Sequence, residues 1–255
     1  MRLKLSFLKV HGSNGMVPLH HQRIISAFME EVIQEIPNPS KLYNFSSLKG
    51  TSKVMQGQIR FLSSKVSLVI SAPEEEFVRE WIKKIFDRRL VAFAKLTLVP
   101  KSYQVMSEAT FQTVMKYVCI SPLVPDLPFI STGDPPLALD PSSHVFSDLV
   151  FNQILDRMEK AGYTEDQLNQ YAEFELTPDP QYMQKVMEQQ KKFSRIYKNN
   201  DNETIHGYLL PFTLHAHPDV QKFVWQTGIG LYTTQGFGML DTVPESSPTT
   251  DALVP

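Results

Sequence analysis

Apolar and polar side chains alternate from residue 2 to residue 10. Leu3, Leu5 and Phe7 fall on one face and Arg2, Lys4 and Ser6 on the other, the two-residue period of a half-buried strand. The period then changes. Between residues 19 and 36, Ile25, Phe28, Met29, Val32, Ile33 and Ile36 recur at three- and four-residue spacing, which predicts a helix opened by Pro18 and closed by Pro37 and Pro39. Strand-like runs follow at 41–47, 58–62 and 65–72, the last alternating Val66, Leu68 and Ile70. Pro73 introduces a second helix, from Glu74 to about Arg88, with acids in its first turn and bases in its last, as the helix dipole favours. A strand at 93–99 completes the order β-α-β-β-α-β, the ferredoxin-like or RRM-like unit.

The second half is less regular and predicts a second unit of similar kind. Residues 117–124 read as a strand interrupted by Pro122, and the proline-rich stretch 126–143 as a surface loop. Val145, Leu149, Ile154, Leu155 and Met158 mark a helix over 145–160. Residues 171–176 read as a strand, 178–190 as a helical or loose polar stretch, and 205–214 as one strand. A helix at 218–225 leads through a glycine-rich turn into a last strand at 238–243. The predicted class is therefore α+β, with boundaries at 1–115 and 116–243; residues 244–255 have the composition of a disordered tail.

With 255 residues, 42% of them hydrophobic and 20% charged, the chain can bury one large core or two small ones. It contains no run of about 18 apolar residues of the kind that spans a bilayer, and Lys4 and Lys9 stand where a signal peptide is apolar, so a cytosolic protein without membrane contact is expected. The single cysteine, Cys119, excludes an internal disulfide framework and, between Val118 and Ile120, reads as core. His215 and His217 share a face if their segment is extended, but no third ligand lies near, and neither metal nor cofactor is expected. The net charge of −2 is unlike that of most phosphate-binding proteins, so a nucleic-acid site must be a local patch. Lys49 with Lys53, Arg60 with Lys65, and above all Lys191, Lys192, Arg195 and Lys198, interleaved with Phe193 and Tyr197, are the candidates; such runs also serve as plain solvated faces.

The most informative segment is Gly228-Ile-Gly230-Leu-Tyr-Thr-Thr-Gln-Gly236-Phe-Gly238. Without a Cβ, clustered glycines let backbone N–H groups approach phosphate oxygens, and Gln235 adds a donor. A glycine-kinked connection between the last helix and strand explains the pattern equally well. The spacing is not that of a dinucleotide site.

This glycine pattern before a final strand resembles the C-terminal signature of the CRISPR repeat-processing RAMP nucleases, the family usually called "Cas six". Val17-Pro-Leu-His-His-Gln22, Lys41-Leu-Tyr-Asn-Phe-Ser-Ser-Leu48, Ile70-Ser-Ala-Pro73 and Ser121-Pro-Leu123 agree in order and spacing, so the resemblance runs from Met1 to Val243. It implies two tandem ferredoxin-like (RRM-like, βαββαβ) domains with a cleft between them, CRISPR repeat RNA as partner, and metal-independent cleavage of precursor RNA. It also leaves room for other effector subunits or a second copy of the chain as partners.

In the chemistry that the resemblance implies, the ribose 2′-hydroxyl attacks the adjacent phosphate, leaving a 2′,3′-cyclic phosphate and a 5′-hydroxyl. A base takes the 2′ proton, an acid protonates the leaving oxygen and a cation stabilises the phosphate. His20 and His21, at the start of the first helix, are the candidate bases, because histidine titrates near neutrality. At about 100° per residue His21 falls on the apolar stripe, a structural position, and His20 on the polar side, so His20 is favoured, with the reverse order open. Lys41 is the candidate cation. The sequence departs from the family where the loop after the first helix is shortened to Pro37-Asn-Pro-Ser40 without a histidine, and where Glu30 occupies a position often held by tyrosine; Tyr43 is a nearby substitute. RNA contacts are expected from Gly228, Gly230, Gln235, Gly236, Gly238, Lys191, Lys192 and Arg195, and His206 is placed at the cleft. Three functions compete: the nuclease, a non-cleaving repeat-binding subunit, and an unrelated interaction protein in which the glycine turn is merely structural.

Overall fold

The computed structural model describes residues 1–127 and 138–243, so the expected tail and the middle of the proline-rich loop lie outside the described residues. The first unit runs β1 (Arg2–Lys9), β2 (Met16–Pro18), α1 (Gln22–Gln34), β3 (Asn44–Phe45), β4 (Ser52–Met55), β5 (Gln58–Phe61), β6 (Lys65–Ser71), α2 (Glu75–Asp87), β7 (Val91–Phe93) and β8 (Leu96–Val105). The second runs β9 (Val114–Cys119), α3 (His144–Lys160), α4 (Glu165–Asn169), β10 (Phe174–Pro178), α5 (Pro180–Glu188), β11 (Ser194–Lys198), β12 (Thr204–Tyr208), β13 (Pro211–Ala216), α6 (Pro218–Thr227) and β14 (Leu240–Thr242). Both main sheets are antiparallel and share one topology. In β3-β6-β1-β8-β7 and in β10-β13-β9-β14 the first strand of each unit lies between the third and the fourth, the ferredoxin-like arrangement.

The patterns that build each unit are visible in its core. Leu3, Leu5 and Phe7 of β1 are buried while Lys4 is exposed, and β1 sits in the middle of its sheet, paired with β6 and β8. Ile25, Met29, Val32 and Ile33 of α1 pack with Phe77, Val78, Trp81 and Ile85 of α2 over that sheet. Some predicted strands take different forms. The run at 41–47 forms a ladder only over Asn44–Phe45, because the residues before it line a cleft. The single strand expected at 205–214 is two: β12 pairs with β11 in a separate hairpin, and after Leu209 and Leu210 β13 joins the main sheet. Likewise β5 leaves the main sheet and pairs with β2 and β4. The loose stretch at 178–190 is the helix α5, with Asp179 capping its first turn.

The two units are joined by side chains of the first that donate to backbone carbonyls of the second. Arg2 reaches the carbonyl oxygens of Trp225 (3.3 Å) and Leu240, its guanidinium lying 3.8 Å from the Trp225 ring centroid. Gln22 Nε2 donates to Gly236 O (2.6 Å), Asn44 Nδ2 to Phe237 O (2.8 Å) and Ser71 Oγ to Gln226 O (2.8 Å). Truncating any of these strands a buried carbonyl, at a cost of about 1–3 kcal/mol. The seam is therefore a specific, polar joint.

Candidate nucleic-acid interface

His20 and His21 stand side by side in the chain and in different environments. His21 begins α1 and is buried; Nε2 accepts from Leu48 N–H (3.3 Å) and Nδ1 lies 3.3 Å from Pro18 O, so the neutral ring with its proton on Nδ1 satisfies both contacts. Burial drives its pKa down to about 4. Its neighbour His20 is exposed, and its ring meets Tyr197 of β11 edge-on, with centroids 4.5 Å apart. Partial burial against that ring, and then the positive charge of Arg195, hold His20 below its ordinary value, so it is neutral at pH 7. The first unit thus supplies an imidazole that meets an aromatic ring and a guanidinium of the second.

The hairpin β11–β12 owes this position to its tip. Asn200 Nδ2 donates to Ser26 Oγ (3.0 Å) and to Glu30, and Arg23 donates to Asn202 Oδ1 (3.1 Å), so polar side chains of α1 hold the turn. Glu30 also accepts from Ser26 Oγ. Gln235 is engaged here too: its Oε1 accepts from Asn200 N–H (3.0 Å). Lys191 and Lys192 are exposed on the approach to β11, and Arg195 and Lys198 on the strand itself. Lys198 donates to Asn202 O and Thr204 Oγ1, whereas no described residue claims the Arg195 guanidinium as a hydrogen-bond or ion-pair partner. His206, opposite Ile196 in the hairpin, has its Nδ1 3.0 Å from Ser194 Oγ.

The glycines serve the structural connection that their spacing allowed. Gly228, Gly230, Gly236 and Gly238 are buried, and all four have positive φ. A Cβ on Gly236 would collide with the Gln22 side chain and the Phe45 ring, and one on Gly228 with Asn44. Their amides are largely spent within the protein: Gly228 N–H donates to Val224 O, Gly236 N–H to Thr233 O, and Gly238 N–H to Pro122 O. The turn is thereby pressed against the first unit, leaving Tyr232, Thr234 and Gln235 at its rim.

Lys41 is elsewhere. It lines a cleft of about 1130 Å³ between the units, with Lys160, Thr234 and an acidic wall of Glu74, Glu76 and Glu80. Arg157 also borders this cleft, but its guanidinium is used on Gly228 O, Thr227 O and Thr227 Oγ1. The 13 residues of α1 lie between His20 and Lys41 and span about 20 Å at 1.5 Å per residue. The structure therefore sets His20 against Tyr197, within reach of the Arg195 charge, and leaves Lys41 in a cleft that His20 does not line. Tyr43 packs against Phe77 and Trp81, and burial, then the charge of Glu30, push its phenol up to about 12.

The remaining candidates have local partners. Cys119 is buried, its thiol pushed up to about 12 by burial. His217 caps α6, accepting from Asp219 N–H (3.2 Å). Among the described residues no three His, Cys, Asp or Glu side chains converge as metal ligands, and no helix is long and apolar enough to cross a membrane. Asn200 and Asn202 escaped the spacing analysis, although Asn199-Asn-Asp-Asn202 between two β-rich runs is a hairpin-turn signal.

The second unit decides the family: residues 103–242, more than half of the chain, match the model described as CRISPR associated protein Cas6, C-terminal. The chain belongs to the Cas6 family. Solved structures agree with that assignment in fold. The product of a Cas6-related gene from Pyrococcus furiosus superposes with a TM-score of 0.79 at 19% identity, covering 96% of this chain and 99% of that one. A RAMP protein described as binding different RNA substrates gives 0.78 at 19% identity (96% and 100% covered), and a CRISPR associated protein Cas6 gives 0.75 at 18% (96% and 99%). No curated protein matches by sequence. The likeness in fold thus spans both ferredoxin-like units.

Proposed function

We propose that this Cas6-family protein binds CRISPR repeat RNA across the seam between its units and cleaves it without a metal, His20 acting as the base. The observation that carries the reading is the placement of His20: exposed, neutral at pH 7, set against Tyr197 and beside an unclaimed arginine. A base needs its proton-accepting form at the working pH, and phosphate binding needs an uncompensated cation; this face has both. Lys191 and Lys192 add positive charge on the approach to the hairpin, and a structure of the same fold described as binding RNA supports the class of ligand. In the step, the 2′ proton passes to His20, the 2′ oxygen bonds to phosphorus, the bond to the 5′ oxygen breaks, and that oxygen takes a proton from solvent. The products are a 2′,3′-cyclic phosphate and a 5′-hydroxyl.

The test is cleavage of the repeat RNA encoded beside the gene, in EDTA, by wild type and His20→Ala, with a 2′-deoxy substitution at the cut. The reading expects one cut that needs both the 2′-hydroxyl and His20. A second reading, a repeat-binding subunit that does not cut, is favoured by the separation of His20 from Lys41. Tight binding of an RNA that stays whole in the wild type selects it.

A further inference from the structure

Resting on the nuclease reading, we propose that the charge on the scissile phosphate is stabilised by Arg195 of the second unit, and that Lys41 has no contact with the reacting atoms. The active centre is then composite, with the base from one ferredoxin-like unit and the cation from the other.

Three observations support this assignment. Arg195 precedes Tyr197 by two residues on β11, and Tyr197 is the residue that the His20 ring meets, at 4.5 Å between centroids. An alternation of two keeps Arg195 on the side of the hairpin that His20 approaches, consistent with the influence of its charge on His20. The guanidinium is exposed and no described residue neutralises it, whereas three glutamates share the cleft of Lys41. A phosphate brought to His20 meets a free planar donor, which suits a phosphoryl group that gains charge as the 2′ oxygen adds. A phosphate brought to Lys41 meets an acidic wall, in a cleft that His20 does not line.

The contact depends on registration of the hairpin over α1, and this identifies Asn200 as a positioning residue. Its side chain reaches Ser26 and Glu30 while its amide holds Gln235, so one residue ties the hairpin tip to both α1 and the glycine turn.

The experiment is single-turnover cleavage of the repeat RNA by full-length wild type, Arg195→Ala, Arg195→Lys, Asn200→Ala and Lys41→Ala, with affinity measured separately on the uncleavable 2′-deoxy RNA. Arg195→Ala is expected to slow cleavage by about 10²–10³-fold, the effect of removing one transition-state donor, while affinity falls far less. Arg195→Lys recovers part of the rate, because it restores the charge without the planar fork. Asn200→Ala lowers the rate with affinity retained. Loss of affinity with an unchanged rate of the bound RNA would make Arg195 an ordinary phosphate contact and overturn the proposal, as would a larger rate loss in Lys41→Ala than in Arg195→Ala. An independent readout needs no cleavage: in NMR titrations without RNA, where Arg195, Tyr197 and His21 are the titratable groups facing His20, the His20 pKa should rise in Arg195→Gln. A His20 titration that stays in place removes the adjacency and the proposal with it. A wild type that binds but does not cut defeats the nuclease reading itself, which the His20→Ala comparison identifies separately.

Discussion

The two ends of α1 carry opposite electrostatic designs. At its start, exposed His20 faces the aromatic ring of Tyr197 and the unclaimed charge of Arg195. Beyond its end, Lys41 lies in a cleft of about 1130 Å³, but Glu74, Glu76 and Glu80 line the same walls and Arg157 is occupied by backbone carbonyls. Volume favours the second place for a ligand, and charge favours the first for a polyanion. For a phosphodiester the charge decides, since a carboxylate repels phosphate over the same range in which an arginine attracts it.

The comparison can be broken by mutation, and the largest effect should come from the base. His20→Ala is expected to slow single-turnover cleavage by about 10²–10⁴-fold, and Lys41→Ala by less than about tenfold; equal losses would mean that the two ends form one centre. Next in size is Gly236→Ala. Its positive φ and the closeness of Gln22 and Phe45 predict a loss of about 3 kcal/mol or more in urea unfolding, because the seam that holds the hairpin over His20 cannot close around a methyl group.

The adjacent histidine gives a smaller effect, with a pH signature. The folded-state pKa of His21 is depressed to about 4 against about 6.5 unfolded, so between these values the unfolded chain binds more protons. The stability linked to His21 is complete above pH 6.5 and is lost as pH falls towards 4, amounting to about 2 kcal/mol by pH 5. Chemical denaturation at pH 7 and pH 5 measures it, and His21→Asn should flatten the difference. The smallest effect belongs to the hairpin approach: Lys191→Ala and Lys192→Ala should each lower the slope of log affinity against log salt by about 1, wherever these lysines meet phosphate.

Periodicity revealed the framework because the framework is made by periodicity. The alternation in β1 and the stripes of α1 and α2 are the buried faces themselves, and the same logic placed His21 on the apolar side of α1, where it is buried. It misled at 205–214, where consecutive apolar residues run through Leu209 and Leu210, so the pattern gives no sign that the chain changes sheets. The partners of His20 were beyond its reach, since nothing local in Val17-Pro-Leu-His-His-Gln22 indicates a ring on β11. The glycines show the same division. Their spacing revealed a demand for small residues, but the cause, the side chains of Gln22 and Asn44 donating to carbonyls of the turn, is a long-range contact.

Arg2 gives the chain a particular order of events during synthesis. The sheet of the first unit has all its strands once Val105 has been made, yet the carbonyl of Leu240 that Arg2 grips is translated roughly 135 residues later. At about 5–20 residues per second the first unit waits on the order of ten seconds with that guanidinium uncovered. Arg2, on a strand made early, is thus among the last residues to reach its final surroundings, and ribosome-bound chains halted before α6 should keep Arg2 open to solvent while β1 is already protected from hydrogen exchange.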